Sequence, residues 1–119
     1  MKGPAIALLL ALAATVLPAC PAATLSAVGC PVPAVIGEKD VHVPPKGNLE
    51  ALRRALDSAG NRDYRVEELP GVNHFLQTAE TGSPREYGKI EETISPAALE
   101  LIGDWILERT MRDRDRTRQ

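Results

Sequence analysis

From Cys30 to Ile106 the chain alternates short apolar runs with stretches of helical periodicity, and that alternation predicts an α/β arrangement. Val32 to Ile36 is rich in β-branched residues and bounded by Pro31 and Gly37. So short a run would not hold as a helix, so it reads as a buried strand. Leu49, Leu52, Ala55, Leu56 and Ala59 then recur at three- and four-residue intervals with Glu50, Arg53, Arg54 and Asp57 between them. This is a helix with one face on a sheet, closed by Gly60-Asn61, both of which tolerate the left-handed conformation. Tyr64, Val66 and Leu69 mark a second strand, and the neighbouring Arg65, Glu67 and Glu68 suit a position at or near the sheet edge. Strand, helix, strand in that order predicts a parallel pair. Gly71 to Glu92 is a long polar loop with a turn at Gly82-Ser83-Pro84. Ser95 and Pro96 have the form of an N-cap and first helical residue, and Ala98, Leu101, Ile102, Trp105 and Ile106 share one face of the helix that follows. Two or three parallel strands with two helices are expected.

The candidate chemistry lies where the strands end. Gly37 to Asp40 turns at the carboxyl end of the first strand, the edge at which open α/β sheets carry their ligands. His74 follows the second strand in PGVNHFLQ. Asp40 and His74 therefore face the same sheet edge, in the order and spacing of the last two members of a Ser, Asp, His triad. The plain alternatives are a turn aspartate bonded to its own backbone and a solvated loop histidine. His42, the other of the two histidines, reads as a cleft-edge or surface residue, because no cysteine or carboxylate cluster accompanies it at zinc-ligand spacing.

The stretches GEKDVHVPP, ELPGVNHFLQTAETGSP and IEETISPAALELIGDWI closely resemble the C-terminal part of a bacterial α/β-hydrolase family, serine hydrolases with acyl-esterase or peptidase-like members. The resemblance runs from about Pro21 to Arg109. It implies the C-terminal portion of an α/β-hydrolase fold, with Asp40 as the triad acid and His74 as the general base; the long loop, by its length and its place directly after that base, could then wall one side of the substrate cleft. It implies a small acyl-ester or peptide substrate and no cofactor. At 119 residues the chain is roughly half of what such a fold needs. The serines are Ser26, Ser58, Ser83 and Ser95, and none lies in a G-x-S-x-G elbow. On this reading the nucleophile half is missing, the chain is inactive alone, and an N-terminal hydrolase half is its natural complement. The alternative is a non-catalytic secreted or lipid-anchored binding module derived from a hydrolase.

Residues 1–22 have the pattern of a secretory signal: Lys2, an apolar run from Ala5 to Leu17, then small residues at Ala19, Ala22 and Ala23. Leu17-Pro18-Ala19-Cys20 is also similar to a lipoprotein box. Such a segment would send the protein to the periplasm, the exterior or a lipid anchor. Yet it abuts the middle of a domain, so a truncated start, with a cytoplasmic product, is the first expectation. The domain proper is expected at 23–111, with 112–119 a disordered charged tail. Cys20 and Cys30 could close a disulfide in an oxidising compartment, although a buried free thiol is the expectation for Cys30. A net charge of −2 and four aromatic residues in all argue against a nucleic-acid partner, which needs a basic face and stacking rings.

Overall fold

The computed structural model describes residues 21–118. The signal-like segment, but for Pro21 and Ala22 at the head of the first helix, and Cys20 with its proposed pairing lie outside the described residues. In chain order the elements are helix α1 (Pro21–Leu25), strand β1 (Val32–Gly37), helix α2 (Pro45–Ser58), strand β2 (Tyr64–Leu69), a single 3₁₀ turn (Tyr87–Lys89) and helix α3 (Pro96–Arg116). The fold is mixed α/β, with β1 and β2 paired in parallel from Val32↔Tyr64 to Gly37↔Leu69.

Strand alternation sorts side chains onto two faces. Val32, Ala34 and Ile36 share one face with Tyr64 and Val66, and there Leu49, Leu52 and Leu56 of α2 join them with Leu25 of α1. Leu56 has no exposed surface. Full burial of such a side chain is worth roughly 1.5–3 kcal/mol. The opposite face is thinner, because Arg65 and Glu67 occupy it as a partly exposed ion pair. Val35 and Leu69 remain for Val72, Leu76, Ala98 and Leu101 to cover.

Helix α3 runs back along that second face. Ser95 caps it, its hydroxyl accepting from Ala98 N at 3.2 Å with Pro96 as the first helical residue. Towards the other end Arg109 pairs with Asp63, just before β2, and stacks over the Trp105 ring at 3.9 Å from its centroid. Ile106, expected on the packed face, is exposed. The two-stranded sheet is too narrow to cover a wider stripe: Ala98 and Leu101 pack with Leu69 and Val72, while Trp105 is buried with the Arg109 guanidinium over its ring.

Three further expectations change. The helix continues past residue 111 to Arg116, where a disordered tail was expected. Glu108 and Arg112 pair one turn apart, Thr117 Oγ donates to Asp113 O at 2.7 Å, and Arg114 and Arg116 sit at the negative end of the helix dipole. Cys30 is exposed rather than buried, since the chain reaches β1 from outside the core. Asn61 does not serve as a second left-handed residue. Gly60 alone turns at φ 69°, and the buried Asn61 side chain donates to Val28 O and Cys30 O, tying the entry of β1 to the exit of α2.

Leu56→Ala should lower unfolding stability by about 2–5 kcal/mol, the usual cost of emptying a buried leucine site. Ile106→Ala should cost no more than about 0.5 kcal/mol, as for exposed sites away from special features. Urea denaturation of the two variants measures this, and the reverse ranking would mean that the core is misplaced.

Candidate functional site

Past β1 the chain keeps bonding to the segment that leaves β2. Glu38 N donates to Leu69 O and Lys39 N to Val72 O, each at 2.9 Å, and the Glu38 carboxylate accepts from Gly71 N at 2.7 Å. Gly37 makes this approach feasible: a Cβ there would lie 2.2 Å from Val72 O. Gly82 does the same from the turn in the middle of the loop, where a Cβ would lie 1.9 Å from Lys39 O and φ is +74°. Lys39 Nζ donates to Ala79 O at 2.6 Å, a third tie between the loop and this turn.

The turn carries Asp40, which is only 7% exposed. Its Oδ1 accepts from His42 N at 2.9 Å and Val43 N at 2.8 Å, and its Oδ2 lies 2.8 Å from His74 Nδ1. Burial by itself pushes the Asp40 carboxyl up, but the Val43 amide, the His74 ring and the His42 amide together outweigh it and hold the group below its ordinary value. Asp40 is therefore a carboxylate at neutral pH, and an acceptor on both oxygens. It follows that His74 Nδ1–H is the donor in this contact, and Nε2 is the ring nitrogen that Asp40 leaves unengaged. The His74 side chain is 38% exposed, so the ring is reachable from outside. The two residues expected at one sheet edge do meet there.

His74 is presented by a turn that sequence reasoning passed over. Asn73, with no exposed surface, accepts through Oδ1 from Phe75 N and Gln77 N, both at 3.0 Å, and donates from Nδ2 to Gln77 Oε1 at 3.0 Å. Leu76 adopts φ 59°, a left-handed conformation that costs a non-glycine residue roughly 1–2 kcal/mol. Ser95 N bonds to Leu76 O at 2.7 Å and helps to hold it there. The available clue was the Asn itself, a residue whose side chain readily bonds the backbone two residues on in an Asx-turn.

His42 is exposed, with its ring centroid 5.0 Å from that of His74. Phe75 and Tyr87 extend this group of rings, 4.8 Å apart in an edge contact, and Tyr87 is also 6.2 Å from His42. The loop expected to wall the cleft thus brings Tyr87 beside the pair. The Tyr87 hydroxyl is buried without a partner, and burial, then the nearby Asp40 and Glu86 charges, push its pKa up, so it stays a neutral phenol. Glu86 itself is held down to about 2, chiefly by the Thr81 hydroxyl, with burial opposing and the amides of Glu80, Thr81 and Gly82 assisting. Among the described residues no group of three or more His, Cys, Asp or Glu side chains is gathered to hold a metal ion.

Three of the four serine hydroxyls are engaged elsewhere. Ser58 Oγ donates to Arg54 O at 2.8 Å, Ser95 caps α3, and Ser83 Oγ accepts from Arg85 N at 3.3 Å. Ser26 lies between α1 and β1, on the amino side of the sheet. Compared with known proteins, the chain matches no family model, no curated protein and no solved structure.

Asp40, Glu86 and Glu92 all sit below their ordinary carboxylate values. Depressed groups of this kind stabilise the fold fully above about pH 4.5, and the contribution is lost as pH falls through the lowered values. Stability should therefore fall as pH drops from about 4.5 towards 2. Asp40→Asn should flatten that acid limb in denaturation midpoints measured across the range. An unchanged limb in the variant would show that Asp40 is not held as described.

Proposed function

We propose that the chain carries the acid and base of a serine hydrolase acting on acyl-ester or peptide-type bonds, as its resemblance to the C-terminal part of α/β hydrolases implies. The observation that supports this best is the 2.8 Å contact between His74 Nδ1 and the buried, doubly amide-bonded Asp40 carboxylate. In the reaction the Nε2 lone pair of His74 takes the proton from an attacking serine hydroxyl and later delivers it to the leaving group. Asp40 holds the ring in the tautomer that exposes Nε2 and stabilises the imidazolium that forms. On this reading the nucleophile and the oxyanion donors would come from an N-terminal hydrolase half, in keeping with the engagement of the Ser58, Ser83 and Ser95 hydroxyls in the local structure.

The same engagement of those hydroxyls favours a second reading, a non-catalytic binding module that has kept the hydrolase layout. Secretion with cleavage near Ala22 would support it.

Without a nucleophile both sources of catalysis are gone, including the residual acceleration of about 10³ to 10⁴ that an oxyanion hole and binding pocket provide. A fluorophosphonate probe should leave the isolated chain unlabelled, and p-nitrophenyl ester turnover should not exceed that of free imidazole at equal histidine concentration. Mixing with a separately expressed N-terminal half that bears an elbow serine should restore labelling, and His74→Ala should abolish it. Asp40→Asn should slow the restored reaction by up to about 10⁴, the effect of breaking the tautomer in such triads. Restored labelling that is indifferent to His74→Ala would overturn the reading.

A further inference from the structure

His74 has one charged partner, Asp40, and its ring neighbours give it little confinement: Phe75 is 54% exposed and His42 is exposed as well. The position of the imidazole is therefore set by the backbone that carries it. We propose that Asn73 is the positioning residue of the pair, its buried amide building the turn that keeps His74 Nδ1 on Asp40 and Nε2 outward. The proposal rests on the reading of His74 as a general base.

Five hydrogen bonds carry the argument. Besides the three made by its side chain, Asn73 N donates to Gln77 O and Asn73 O accepts from Leu76 N, both at 3.0 Å. Residues 75, 76 and 77 are thus all tied back to 73, which leaves His74 at the apex of a closed turn. On the other side Val72 O accepts from Lys39 N, one residue before Asp40. His74 is in this way fixed between a bond to the acid's own turn and the turn that Asn73 encloses. The left-handed Leu76 points the same way, because an unfavourable conformation beside a functional group persists only where its surroundings impose it. Asn73 and Ser95 impose it here. Gln77 Nε2 donates to Glu92 O at 3.1 Å and anchors the turn to the end of the long loop.

The test is the resting state of the imidazole in the full chain, read by ¹H–¹⁵N NMR with labelled histidine. Wild type should show His74 protonated at Nδ1, with a downfield Nδ1–H resonance. In Asn73→Ala that resonance should be lost and the ring should revert to the tautomer mixture of free imidazole. Asn61→Ala serves as the control, since it removes another buried asparagine at the opposite sheet edge and should leave the His74 signal in place. A signal retained in folded Asn73→Ala, or lost equally in folded Asn61→Ala, would overturn the proposal. If Asn73→Ala does not fold, Asn73→Asp decides. It keeps an oxygen for the Phe75 and Gln77 amides, so at least half of the Nδ1–H intensity should remain, and complete loss would count against Asn73. The readout needs no nucleophile, so the tautomer result and serine labelling on complementation can fail independently.

Discussion

A carboxylate taken out of water is the constraint on which the carboxyl edge of this sheet depends. Desolvating such a charge costs several kcal/mol even after relaxation, so a buried Asp40 persists only where donors reach both of its oxygens. Two come from the next residues of its own turn, His42 and Val43, and the third from His74, 34 residues further on. Local amides alone could satisfy a turn aspartate. What distinguishes Asp40 is that one oxygen is left for a ring delivered by a different strand. Delivering it requires close backbone approach, and Gly37 and Gly82 are where the chain gives up side chains to allow it.

The sheet beneath is minimal. Parallel strands are normally covered on both faces, and with two of them among the described residues the covering elements have little to grip. Helix α2 manages this with a run of leucines, whereas α3 meets a face interrupted by Arg65 and Glu67 and leaves Leu99, Ile106, Leu107 and Met111 exposed. Polar interactions take up part of the work on that side. The Arg109 guanidinium stacks on Trp105 and reaches Asp63, and the Ser95 cap fixes the other end of the helix beside the His74 turn.

Elements that follow from periodicity were legible in the sequence. The β-branched run before Gly37, the leucine spacing of α2 and the Ser95-Pro96 start each have a local cause, and each is found at its expected place. The approach of Asp40 to His74 was legible for a related reason, since successive parallel strands end at one edge. Contacts made at a distance were not. Asn61 reads locally as a helix terminator, and only the path of residues 28–30 beside it turns its amide to another use. Ile106 has the right spacing to be buried, but the width of the sheet decides that it is not. Asn73 looks like loop composition until the turn closes on it.

The order of effects at the site explains how the Asp40–His74 contact is built. Hydrophobic burial sets the strands but is non-directional, so it cannot orient an imidazole to within a hydrogen bond. Orientation comes from directional bonds, and every bond described for Asp40, for the turn around His74 and for its anchors is made by residues between Gly37 and Ser95. Nothing in that set requires a hydroxyl at Nε2. The geometry of the pair is thus a property of this segment's own fold, and if His74 serves as the proposed base, a nucleophile supplied from elsewhere would meet a ring whose ordering entropy is already spent.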